Sequence, residues 1–85
     1  MANRGYIYHW RISDGVGRIR VCSGSFSDLN VPFDGQECDA ELRKILNEQN
    51  ISKDRVCPPP DDVLLVSFDL TVQEGDLAAT NISLT

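Results

Sequence analysis

Gly5-Tyr6-Ile7-Tyr8-His9-Trp10-Arg11-Ile12, then Ser13-Asp14-Gly15, then Val16-Gly17-Arg18-Ile19-Arg20-Val21-Cys22 is the stretch from which the fold is read. Tyr6 to Ile12 is rich in aromatic and β-branched residues and alternates in polarity, which predicts a strand. Ser13-Asp14-Gly15 has the composition of a tight turn. Beyond it, Arg18 to Cys22 alternates, so Ile19 and Val21 share one face while Arg18 and Arg20 share the other. The expectation is a hairpin with an apolar face turned to a core and an arginine face turned to water.

Beyond this hairpin, Phe26 to Phe33 predicts a third, weaker strand that Pro32 ends or places at an edge. The period then changes. Asp39 is a good N-cap, Glu41 favours a first helical turn, and Leu42, Ile45 and Leu46 fall at helical spacing, predicting a short helix over 39–50. Its apolar stripe suits a lid over one open end of a small barrel. Residues 51–62 predict a loop, with Pro58-Pro59-Pro60 as a rigid connector. Val63 to Val72 is too β-branched for a second helix and predicts a long strand. After the turn Gln73-Glu74-Gly75-Asp76, Leu77 to Leu84 predicts the last strand, with Ala78, Thr80, Ile82 and Leu84 of one parity. Three strands, a helix and two strands give an all-β chain with one short helix, in the order of a five-stranded antiparallel OB-type barrel, an order that other small α+β folds share. Parity and the helical stripe assign Ile7, Ile19, Val21, Val31, Leu46, Val66, Phe68 and Ile82 to its core.

A chain of 85 residues, 41% hydrophobic and 25% charged, supports one domain, residues 1–85, with a single modest core. The net charge of −5 is unevenly spread. Up to Phe33 there are four arginines against two aspartates, whereas from Asp34 onward four basic residues face eleven acidic ones. The basic charge thus sits in the first hairpin region, where it either meets a polyanion that the rest of the chain repels or is a solvated surface placed for solubility. No apolar run is long enough for a membrane span and no export signal is seen, so a cytoplasmic protein is expected. The three cysteines, Cys22, Cys38 and Cys57, are an odd number without CxxC spacing. They are read as buried or idle thiols rather than a disulfide framework, and with His9 the lone histidine no metal or cofactor is expected.

The same residues carry a resemblance. Cold-shock domains open with a Gly-x-Val-x-Trp-Phe pattern followed by Gly-Phe-Gly-Phe-Ile, and Gly5 to Ile19 lies on it without a gap. Gly5, Gly15, Gly17 and Ile19 match, Ile7 stands for Val, and His9-Trp10 occupies the Trp-Phe pair. Asp28-Leu29-Asn30-Val31-Pro32-Phe33 resembles the family's second motif, Asp-Val-Phe-Val-His-Phe. Val66-Ser67-Phe68-Asp69, Gly75 and Ala78-Ala79-Thr80-Asn81-Ile82 resemble its ending. The resemblance implies an OB barrel whose first three strands hold unpaired bases against exposed aromatic rings. The chain departs from the motifs where those rings belong: Val16 and Arg18 replace two phenylalanines, and Asn30 and Pro32 replace Phe and His. Tyr6 and Tyr8 add rings elsewhere.

The leading expectation is single-stranded RNA or DNA binding, with His9, Trp10, Arg18 and Phe33 as principal contacts and Arg11, Arg20 and Asn30 hydrogen-bonding phosphates or base edges, the other reading of Trp10 and Phe33 being that they are buried. The alternative is a protein-interaction module that keeps the barrel without the nucleic-acid role, an acidic inhibitor or regulator of a basic partner. An enzyme is not expected. The carboxylate pairs Asp61-Asp62 and Asp28 with Asp34 lack a neighbouring nucleophile or a second histidine.

Overall fold

The computed structural model describes residues 3–85. The decisive hairpin forms, with strand β1 over Asn3–Arg11 and strand β2 over Val16–Val21, but its arginine face is only partly wet, Arg18 being exposed and Arg20 half-buried. Gly15 turns the chain at φ +68°, and the amides of Asp14 and Gly15 both donate to the Arg11 carbonyl, at 3.2 and 3.1 Å. Gly17 serves closeness instead: a Cβ there would stand 2.8 Å from the ring of Phe33.

The remaining elements are β3 (Asn30–Asp34), α1 (Ala40–Leu46), β4 (Ile51–Ser52), β5 (Leu64–Gln73) and β6 (Asp76–Leu84). β1, β2, β3, β6 and β5 pair in a ring that returns to β1, so the molecule is a closed five-stranded barrel of OB type. Four of its seams are antiparallel. The seam between β3 and β6 is parallel, at Phe33 and Ala79. An odd ring cannot alternate direction all the way round, so one parallel seam is a geometric necessity that the antiparallel expectation overlooked.

All eight residues assigned to the core from the sequence are at most 2% exposed. Parity carries this result on β1 to β3 and on β5, but not along β6. There the register with β5 shifts between Ser67 and Asp69, with Asn81 at φ +51°. This bulge switches the inward set from Leu77 and Ala79 to Ile82 and Leu84, so the single parity of Ala78, Thr80, Ile82 and Leu84 does not hold.

The helix is shorter than the expected 39–50. Asp39 caps it as expected, its carboxylate accepting the Leu42 amide at 2.9 Å, and Leu42 and Leu46 are fully buried as the lid. It stops after Leu46, whose carbonyl accepts the Trp10 indole N–H at 2.7 Å. Asn50 then reaches the Ile12 amide at 2.9 Å, which lets Ile51–Ser52 pair with the second half of β1. The loop expected over 51–62 thus begins with two residues of strand. The third strand is also shorter than expected, because Gly24–Phe26 forms a turn of 3-10 helix and Asp28 adopts φ +72°. Phe26 and Leu29 consequently remain exposed.

Two cysteines overturn the idle-thiol reading. Cys22, just past β2, and Cys57, in the loop before β5, form a disulfide across 35 positions of sequence, with Cα atoms 5.7 Å apart. Spacing gave no hint, because the pairing exists only once the loop has returned over β1 and β2. Cys38 is a buried free thiol, as expected.

Candidate nucleic-acid interface

The register of β1, β2 and β3 arranges their outward side chains in three cross-strand rows. The first joins Tyr6, Arg20 and Asn30, the second His9, Arg18 and Pro32, and the third Arg11, Val16 and Asp34. Between the first two rows β1 contains a bulge, with Ile7 opposite Ile19 and His9 already opposite Arg18, which leaves Tyr8 as the extra residue.

The first row is closed. Residues 53–57 cross it as a strap. The Tyr6 hydroxyl donates to the Asp54 carbonyl at 2.5 Å and accepts the Val56 amide at 2.7 Å, and the Tyr6 ring is fully buried. The Lys53 amide donates to the Tyr8 carbonyl at 2.8 Å, and the Arg55 guanidinium stands 5.9 Å from the centre of the Tyr8 ring. That separation is within cation–π range. Arg20 is held within the protein: its Nη1 donates to the Asp28 carbonyl at 2.6 Å and to the Asn30 side-chain oxygen at 3.1 Å, and its Nη2 stands 3.4 Å from the Asp28 carboxylate. The Arg20 Nε is buried without a partner. Arg20 and Asn30, expected to meet a ligand, are instead engaged with each other.

The second and third rows are open. Arg18 and Arg11 are exposed, His9 is half-buried, and among the described residues none of the three is in an ion pair. The carboxylate nearest in register, Asp34, accepts the Gln36 amide at 2.9 Å and so caps the turn that follows β3. Asp62 is engaged elsewhere, its ordinary acidity strengthened by the hydrogen bond from Lys53 at 2.8 Å.

Trp10 and Phe33 require correction. Both point inward and are 3% exposed, so neither ring offers a face to a base. They stack on each other, with centroids 5.6 Å apart and planes 12° from parallel. The inward parity of β3 that buries Val31 also carries Phe33, and the β1 bulge keeps Trp10 in line with the core. Sequence parity alone made Phe33 legible as core, whereas Trp10 depended on the unforeseen bulge. Of the seven expected contacts, His9, Arg11 and Arg18 lie together on an open surface.

The arrangement chemically offers two guanidinium groups and one imidazole on neighbouring rows, bordered by Val16 and Pro32. Guanidinium groups bind phosphate through paired N–H donors and stack on planar bases. Neither the protein-family models nor the curated proteins compared with this chain give a match.

Proposed function

We propose that this domain binds single-stranded nucleic acid, RNA or DNA, through the open rows of β1 and β2, with contacts led by phosphate and guanidinium rather than by aromatic stacking. The observation that carries this reading is the grouping of His9, Arg11 and Arg18 on one outer face, free of ion pairs among the described residues, in a chain of net charge −5. An acidic protein that keeps unneutralised arginines together on one barrel face has a local positive field there, which selects a polyanion and repels it elsewhere. The resemblance to cold-shock domains points to the same three strands and supports a single-stranded ligand. With the rings of Trp10 and Phe33 buried, charge must supply most of the affinity, so binding is weak and depends steeply on salt.

Titration of labelled oligo-dT and oligo-U tests this. The expected dissociation constants are roughly 10⁻⁴ to 10⁻⁶ M near physiological salt, tightening as salt is lowered. Absence of binding at about 100 µM protein and about 50 mM salt overturns the proposal, since even non-specific binders associate under harsher conditions.

A second reading, a protein-interaction module, is favoured by one observation: the strap over Tyr6 and Tyr8 and the burial of Trp10 and Phe33 leave the face with almost no ring for a base. On that reading, Arg11 and Arg18 engage carboxylates of a partner, and the acidic remainder engages basic groups.

A further inference from the structure

We infer that the Cys22–Cys57 disulfide is a latch, and that its reduction releases the 53–57 strap to uncover Tyr6 and Tyr8 as a stacking platform beside His9 and Arg18. The inference rests on the nucleic-acid reading above and adds its regulation.

The strap is fastened to the barrel at both ends and in the middle, and Arg55 also stands over the Tyr8 ring. Cys57 is bonded to Cys22 at one end, the Tyr6 hydroxyl is held by Asp54 and Val56 in the middle, and the Lys53 amide meets the Tyr8 carbonyl at the other end. Every residue from Lys53 to Cys57 is exposed, and none belongs to the core cluster. The strap is therefore held by the Tyr6 and Tyr8 rings it covers, by its hydrogen bonds and by the disulfide, and of these the covalent bond is the one that thermal opening cannot break. The core on the other side of β1 and β2, from Ile7 and Ile19 to Val66 and Phe68, does not include Cys22 or Cys57. Local release of the strap is thus separable from unfolding of the barrel.

What the strap covers has the chemistry that the open rows lack. Tyr6 lies one cross-strand row from His9 and Arg18, with Tyr8 between them on the bulge. Once uncovered, their rings adjoin the positive rows, making the combination of stacking surface and cation that holds single strands. Cys57 is exposed and Cys22 half-buried, so the bond can be approached from solvent. The reductant is a thiol of the glutathione or dithiol-protein class. Its thiolate attacks one sulfur and breaks the Sγ–Sγ bond. A second donor thiol resolves the mixed disulfide, so that Cys22 and Cys57 each gain a proton and an electron and the donor leaves as a disulfide. In a compartment that keeps thiols reduced the open form prevails, and oxidation closes it.

The test compares the full chain oxidised and after treatment with dithiothreitol, with the double variant Cys22→Ser/Cys57→Ser as a permanently unlatched form. Hydrogen–deuterium exchange follows the Val56 amide against the β5 amides, and oligo-dT titration follows binding. Faster exchange at Val56 with β5 still protected, together with about tenfold tighter oligo-dT binding, the effect of one added base stack, is the expected result. Unchanged exchange at Val56 shows that the bond is no latch. Loss of protection throughout β5 shows that it is a staple for the whole barrel, and likewise overturns the inference. Opening of the strap with oligo-dT bound equally in both forms removes the gating and leaves the nucleic-acid function standing. Opening of the strap with no binding in either form removes both.

Discussion

Trp10 and Phe33 stack nearly parallel within the barrel, 5.6 Å between ring centroids, while the Trp10 indole N–H is held by the carbonyl of Leu46 at the end of the helix. This contact links β1, β3 and the helical lid. It also moves two expected ligand contacts into the structural core. Gly35 makes room for it, since a Cβ there would stand 2.7 Å from the indole.

Replacement of Phe33 by Ala should therefore cost roughly 3–5 kcal/mol of stability through lost burial and a cavity. Trp10→Phe keeps a ring but leaves the Leu46 carbonyl without its buried donor, at a cost of roughly 1–3 kcal/mol. Urea unfolding measures both. Tryptophan emission of the wild type should be blue-shifted and resistant to acrylamide quenching, and solvent-exposed emission from the folded protein contradicts the placement of Trp10.

Phe68, 1% exposed on β5, stands against the bulge of β6 in the centre of the core. Phe68→Ala should lower stability by roughly 3–5 kcal/mol. A loss below about 0.5 kcal/mol in the same denaturation experiment is incompatible with a core residue, because it is within the range of surface substitutions.

Arg18 and Arg20 share a strand and a face but should behave differently. Arg18 is exposed and unpaired among the described residues, so Arg18→Ala should weaken oligonucleotide binding and make the salt dependence shallower by about 0.7, the value of one phosphate contact on a single strand. Arg20 is bonded to Asp28 and Asn30, so Arg20→Ala should leave the salt slope unchanged and cost roughly 1–3 kcal/mol of stability. Affinity measured from about 50 to 200 mM salt, beside urea unfolding, separates the two roles.

The Cys38 thiol is pushed up to about 12 by its burial, with the neighbouring Asp39 charge adding to the effect. In the oxidised, folded protein it should resist alkylation at pH 8, because the thiolate is the nucleophile. Denaturation should expose one reactive thiol, and reduction with denaturation should expose three. Above the ordinary thiol value of 9.0 the unfolded chain loses this proton while the fold retains it, so stability should fall as pH rises from about 9 toward about 12. A fast-reacting thiol in the folded, oxidised chain at pH 8 contradicts this burial.

Legible in the sequence were the five barrel strands, the helix cap and the eight core residues named from parity and the helical stripe, but not the two-residue strand β4. The alternation of Arg18-Ile19-Arg20-Val21 assigns faces without any partner, because successive side chains in a strand leave on opposite sides. Asp39 caps through its own carboxylate, which accepts the amide three residues on, and Leu42 and Leu46 meet on one helical face by spacing alone. What depends on a break in register or on a distant segment is settled by the folded chain alone. The bulges at Tyr8 and around Asn81 change which residues face inward, and nothing local announces them. Cys22 and Cys57 meet, and Tyr6 and Tyr8 are covered, because residues 53–57 return over β1 after the helix. His9, Arg11 and Arg18 stay on the surface because the strap covers the neighbouring row and stops there, a consequence of where the chain returns rather than of the residue types themselves.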